Sequence, residues 1–171
     1  MTLGAVLVVG GTGMLADATR ALAPLADSLT LMARNPDALA SELSATGITM
    51  DWSAPDASAQ LSALAAKFDT ALVWIHDDAA PLSRAIEDAL RPGGRLIRVM
   101  GSQAMDPAVR DARAPNPRGD ISRQLVILGW HHDVAAPEGQ RWLSHSEICA
   151  GVLAAAHAPA LEALIIGVAG G

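Results

Sequence analysis

The residues of this chain best suited to chemistry sit at the ends of apolar runs, and the first group is a glycine loop. Val6-Leu7-Val8-Val9 leads straight into Gly10-Gly11-Thr12-Gly13-Met14-Leu15-Ala16. Glycines let a backbone turn tightly and approach a pyrophosphate, whose charge then rests against the first amides of the helix that follows. Gly11, Gly13 and Ala16 match G-x-G-x-x-G/A, in which the third position needs only close packing; a wider spacing uses Gly10, Gly13 and Ala16. A helical pattern follows at Met14, Leu15, Ala18 and Leu22. Gly10, Gly11, Thr12, Gly13, Met14 and Leu15 are therefore expected to hold a dinucleotide.

Further candidates follow the later apolar runs. Arg34 and Asn35 come after the second, where an acidic residue would bind the ribose 2′-hydroxyl of NAD and an arginine would pair with the 2′-phosphate of NADP. Arg34 thus points to NADP in preference to NAD. After the third run, Asp51 could accept from an adenine amino group and Trp52 could border the base, with helix capping the competing role for Asp51. Ile75-His76, Gly101-Ser102 and Trp130-His131-His132 end later runs, where a nicotinamide would reach. Histidine titrates near neutrality, which makes His76, His131 and His132 candidate acids, and the Ser102 hydroxyl could hold a substrate oxygen. His76 is the best placed of these because it follows a central strand; binding the cofactor ribose is its other role.

These residues need elements to position them. Strands are expected at Ala5–Val9, Ser28–Met32, Gly47–Asp51, Thr70–Ile75, Arg95–Met100, Leu125–Leu128 and Leu164–Val168. Helix signals lie between them: Asn35-Pro36 as N-cap and first position, Ser53 with Asp56 as an Asp variant of a capping box, and Ser144 with Glu147 as the S-x-x-E form, opening a helix to about His157. Arg91-Pro92-Gly93-Gly94 is expected to close a helix begun near Pro81. The alternation predicts an α/β protein: one Rossmann-like domain over residues 1–171, a doubly wound parallel sheet of about six to seven strands with helices on both faces.

Two features break this rhythm. Residues 102–123, with Pro107, Pro115, Pro117 and Gly119 and alternating Arg and Asp, read as a flap over the site or a surface excursion, with a short helix near 107–112. Arg98 stands inside a central strand, where a charge requires a carboxylate or a sheet end.

Composition narrows the class. A hydrophobic share of 51% against 18% charged suits a compact domain, and a net charge of -6 argues against nonspecific nucleic-acid binding. A small-molecule substrate is the expected partner, without nucleic acid or membrane. Cys149, the single cysteine, is expected in a late helix, and no Cys/His spacing suggests a metal site. No leader or membrane-spanning run is visible, so a cytoplasmic location is expected.

With the glycine loop, Ala33-Arg34-Asn35, Asp51 and Met100-Gly101-Ser102 in view, the chain resembles an atypical short-chain dehydrogenase/reductase. More narrowly it is similar to small bacterial proteins of that label sharing residues 10–15, Trp74-Ile75-His76, Gly101-Ser102 before Asp106-Pro107, Val126-Ile127-Leu128-Gly129, and Arg141-Trp142-Leu143 before His145 and Glu147. The resemblance implies a shared fold and nucleotide binding. It fails at the family's Tyr-x-x-x-Lys pair: the chain has no tyrosine, and its one lysine is Lys67. Three readings stay open. One is an NADP-dependent reductase of a small carbonyl or imine with a non-standard proton donor. Another is a non-catalytic NADP-binding sensor or partner subunit, and the third a non-redox cyclase or isomerase. The family pairs through helices around the missing segment, so a homo-oligomer is left open.

Overall fold

The computed structural model describes residues 2–75, 80–113, 117–136 and 138–168. Nine strands are described: β1 (Ala5–Val9), β2 (Ser28–Ala33), β3 (Thr46–Thr49), β4 (Phe68–Val73), β5 (Leu90–Gly101), β6 (Ser122–Leu128), β7 (Trp130–His132), β8 (Gln140–Trp142) and β9 (Ala163–Ile166). Six α-helices accompany them: α1 (Ala16–Leu22), α2 (Asp37–Glu42), α3 (Ala57–Ser62), α4 (Ala80–Asp88), α5 (Pro107–Arg113) and α6 (His145–His157). Seven strands form one sheet in the order β3-β2-β1-β4-β5-β6-β9, every pair parallel. This is the doubly wound order, in which the chain steps outward from β1 to one edge and then from β4 to the other. The fold is Rossmann-like α/β.

The period of two in the central strands divides the core. Val6 and Val8 face α1, α2 and α6, together with Ile97, Val99 and Val126. Leu7 and Val9 face α3 and α4, together with Ala71, Val73 and Ile86. Strands covered on both sides read as continuous apolar runs, which is why β1 was legible in the sequence. Beyond α4 this second face has a smaller cover: the 3-10 turn Ser102–Met105 brings Ala104 onto Met100 and Ile127.

Several element boundaries differ from the sequence reading. Arg91-Pro92-Gly93-Gly94 does not end a helix; α4 stops at Asp88, and these residues form an irregular start to β5, where the register shifts between Phe68 and Thr70. Gly93 has φ +79°, the left-handed conformation such an irregularity needs. Arg118 serves the helix end instead, donating from Nη1 to the carbonyls of Glu87 (2.7 Å) and Leu90 (3.0 Å). Pro36, not Asn35, stands at the N-cap of α2, without a side-chain bond. The Ser53 capping box does not form, because Ser53 turns back to Asp51, donating from Oγ (2.6 Å) and its amide (3.0 Å). At α6 the predicted box is present: the Glu147 amide donates to Ser144 Oγ, and the Ser144 amide donates to the Glu147 carboxylate at 2.7 Å. Strand β3 ends at Thr49, two residues short, while β6 begins earlier, at Ser122, and β9, Ala163–Ile166, begins one residue earlier and ends two residues earlier. Most of 102–123 is regular structure, comprising the 3-10 turn, α5 and the start of β6; residues 114–116, which include Pro115, lie outside the described residues. Cys149, in α6, is half-buried, and burial pushes its thiol up.

The buried cations of β5 have separate solutions. Arg95 reaches across to the last turn of α6, donating to the carbonyls of Ala155 (2.6 Å) and Ala156 (2.8 Å) and to Gln124 Oε1. Arg98, 6% exposed, lies near the Glu87 carboxylate and favours its ionised form. Glu87 also accepts from the Arg123 guanidinium at 2.9 Å and from the Arg118 amide at 3.0 Å. Burial pushes the Glu87 carboxyl up, but these donors outweigh it and hold it below the usual carboxylate range.

Candidate functional site

A cleft of about 830 Å³ runs along the carboxyl ends of the central strands, at the switch point between the two halves of the sheet. Ligands of doubly wound sheets bind in this crevice. Its floor begins at the glycine loop, and each glycine there has a different reason. Gly10 has φ +79°, and a Cβ on it would stand 1.9 Å from the Trp74 carbonyl oxygen, so this position must be bare for β1 and β4 to pair. Gly11 is a packing glycine: its Cβ would strike Val8 Cγ1 and Thr19 Oγ1. Gly13 is different, since nothing lies within 4 Å of where its Cβ would be, and it lines the cleft. Thr19 fixes the loop from beneath, its buried hydroxyl bonded to the Gly11 (3.0 Å) and Leu15 (2.9 Å) carbonyl oxygens.

Of the residues expected to hold a cofactor, Gly10, Thr12, Gly13, Met14, Arg34, Asn35, Trp52, Ile75 and Gly101 line this cleft. Arg34 is exposed at one end, its guanidinium 6.0 Å from the Trp52 ring centroid, the outer limit of a cation–π contact. Gly11 and Leu15 are not in the lining; Leu15 is fully buried in the core, so its side chain supports the loop from behind. Asp51 is not in the lining either. Its carboxylate is held by Ser53 and kept below its usual range by those two bonds, with the Arg34 charge adding to the effect.

Ser102 lines the far part of the cleft with Met100, Gln103, Ala104 and Val109. His131 does not reach it. This residue belongs to the β7–β8 hairpin, where its Nδ1 stands 3.1 Å from Glu147 Oε1 on α6. Glu147 also takes two bonds from Arg141, at 2.9 and 3.0 Å, and this guanidinium, followed by the Ser144 amide and hydroxyl, holds its carboxyl far below the usual range. Asp133, next along the chain, faces Arg141 at 3.7 Å. His132 is exposed on the same hairpin, and His76 lies outside the described residues. What the hairpin does bring to the cleft is Trp142, packed edge-on to Trp130 with ring centroids 5.2 Å apart. Val109 and Gln103 have no signature by spacing, and Trp74 and Trp142, though within motifs of the resemblance, are not read as cleft residues; the four meet only through tertiary folding.

Among the described residues no group of three or more His, Cys, Asp or Glu could hold a metal ion, and no helix is long and apolar enough to cross a membrane. No family model and no curated protein matches the sequence. Solved structures do match. The TT0495 protein of Thermus thermophilus is 18% identical with a TM-score of 0.64, over 95% of this chain and 96% of that one. A gluconate 5-dehydrogenase of Burkholderia cenocepacia, solved with NADP and tartrate, is 16% identical with a TM-score of 0.65, over 98% and 94%. BdcA of E. coli, solved with NADPH, is 15% identical with a TM-score of 0.61, over 100% and 97%. A short-chain type dehydrogenase/reductase of Mycobacterium marinum also matches, at a TM-score of 0.60 and 16% identity, over 97% of this chain and 94% of that one.

The chain has the fold of the short-chain dehydrogenases/reductases.

Within that fold, Lys67 stands just before β4, its amide donating to the Ala89 carbonyl, at the amino end of the sheet and so opposite the cleft.

Proposed function

We propose that the cleft holds a nicotinamide dinucleotide, NADP in preference to NAD, and that the protein is an oxidoreductase reducing a small carbonyl or imine. The observation that carries this reading is one continuous cleft with Gly13 and its open Cβ position near one end, Arg34 and Trp52 on its wall, and Ser102 farther along. The donor set fits the group. A bare Gly13 allows close approach of a pyrophosphate, Arg34 offers a fixed fork to a 2′-phosphate, and Trp52 offers a face to a base. Bound there, the cofactor would supply the hydride.

The chain's own part is to bind, orient and exclude water. Trp74, Met100, Val109 and Trp142 give the cleft apolar surface. Ser102 can donate a hydrogen bond to a substrate oxygen at the carboxyl end of β5. An imine that arrives protonated needs no strong acid from the protein, which is compatible with a chain that has no tyrosine. The missing tyrosine equally supports a second reading, an NADP-binding sensor or partner subunit without turnover.

The experiment is NADPH oxidation followed across aldehydes, ketones and cyclic imines, with Ser102→Ala as the control. The reductase reading expects turnover of at least one class and a lower kcat in Ser102→Ala. Saturable NADPH binding with no turnover of any class would instead establish the sensor reading.

A further inference from the structure

The order of the sheet separates the two ends of the cleft. Arg34 and Trp52 follow β2 and β3, on one side of β1, whereas Ser102 follows β5 and the β7–β8 hairpin follows β6, on the other. Trp142 of that hairpin lines the cleft, and so belongs to the end that holds Ser102. Its neighbours are anchored: Arg141 is bonded to Glu147 on α6, and Leu143 is buried in the core. At the hairpin base Trp130 and Val168 exchange two backbone bonds of 2.8 Å. The approach is so close that a Cβ at Gly129 would strike the Val168 carbonyl oxygen, and one at Gly167, with φ +82°, would strike that of Trp130. Between these fixed points the Trp142 side chain is nonetheless exposed, at 40%.

Directly opposite residues of an antiparallel pair share a face, so Trp130 and Trp142 meet, with 80° between their ring planes. A ring met at right angles keeps at least one face that its neighbour does not cover. Such a face, already ordered by the fold, lets a flat ligand stack with little further loss of freedom. Met100, Ala104 and Val109 add apolar surface at this end, where Ser102 and Gln103 supply neutral hydrogen-bonding groups. A second cavity, of about 620 Å³ on the face of β5 and β6, offers no comparable wall: among its described lining residues none is aromatic, and Arg98, Arg110 and Arg123 are matched in number by Glu87, Asp111 and Glu162. We propose that Trp142 is the specificity-determining residue of the cleft, and that the site takes a planar, conjugated carbonyl or imine stacked on the indole in preference to a saturated one of the same size. The inference rests on the reductase reading and narrows its substrate.

Acetophenone and cyclohexyl methyl ketone are the probes, because they share a carbon skeleton and differ in the ring, flat in one and puckered in the other. Each is titrated calorimetrically into the full chain, alone and with saturating oxidised NADP, which carries no hydride to transfer. Acetophenone should bind about five- to tenfold more tightly under both conditions. Trp142→Leu, which keeps apolar bulk, should bring that ratio to about one by weakening acetophenone alone, and Trp142→Phe should restore most of it. A purely structural role would weaken both ketones alike and leave the ratio where it was. Failure of the reductase reading would appear as the same acetophenone preference without any oxidation of NADPH, which leaves the stacking platform standing. Saturable binding of neither ketone, equal affinities in the parent, or a ratio untouched in Trp142→Leu would overturn the inference. So would a preference lost once the oxidised cofactor is bound, which would assign Trp142 to the nicotinamide ring.

Discussion

The two cavities of this molecule use backbone and charge in opposite ways. In the cleft at the strand ends the chain is bare: Gly10 and Gly11 are filled from behind by Trp74, Val8 and Thr19, Gly13 faces open space, and Arg34, the one charged wall residue among the described residues, stands in water. On the face of β5 and β6 the chain is charged, with Glu87 gathering Arg123 and the Arg118 amide and lying close to Arg98. The two cavities share Met100, so the same strand, β5, ends at the bare cleft and carries the charged face.

The largest effect that would break this contrast lies at Glu87. Glu87→Gln leaves buried guanidinium groups without their counter-charge and should cost about 3–5 kcal/mol of unfolding free energy in urea titrations. The pH dependence has a definite sign. A carboxylate whose folded pKa is depressed stabilises the protein fully above its unfolded value, about 4.3, and that stability drains away as pH falls through it toward the folded value. The variant should therefore show a flatter acid limb than the parent; an identical limb would remove Glu87 from its central place.

Next in size is Gly10→Ala, which sets a Cβ against the Trp74 carbonyl at a left-handed φ and should destabilise by about 2–3 kcal/mol. Gly13→Ala sharpens the comparison from the other side. With nothing within 4 Å, it should leave the urea midpoint within about 0.5 kcal/mol of the parent. Its effect should appear as about a tenfold loss of NADPH affinity by calorimetry, because the methyl group stands where the pyrophosphate would approach. A Gly13→Ala protein binding NADPH as tightly as the parent would mean that the loop's open position faces no ligand.

What the sequence disclosed divides along the same line. The β1 strand and glycine loop are local: a run of apolar residues covered on both faces, then a turn only glycine can make, all within a dozen residues. The Ser144–Glu147 capping box is local too. Ser53 and Asn35 carried equally good local signals, yet Ser53 found a better acceptor in Asp51, and Pro36 took the cap position. Arg91-Pro92-Gly93-Gly94 has the composition of a helix end and serves instead as the irregular start of a strand, because pairing with β4 decides the conformation. The environment of Arg98 could not be read at all, since Glu87 lies on the preceding helix and is brought under the strand only by the crossover. Trp142 reaches the cleft because the hairpin is clamped to α6 by Arg141 and Glu147. His131, chosen for its position after a strand, is used in that same clamp.

We propose that this bare cleft holds NADP through Arg34. The direct measurement is a tryptophan-fluorescence titration of NADPH and NADH into the parent and into Arg34→Glu. The parent should bind NADPH more tightly by about ten- to a hundredfold, one charge-assisted bidentate contact, and Arg34→Glu should abolish or reverse that ratio. Equal affinities for the two cofactors in the parent, or a ratio untouched by Arg34→Glu, would contradict it.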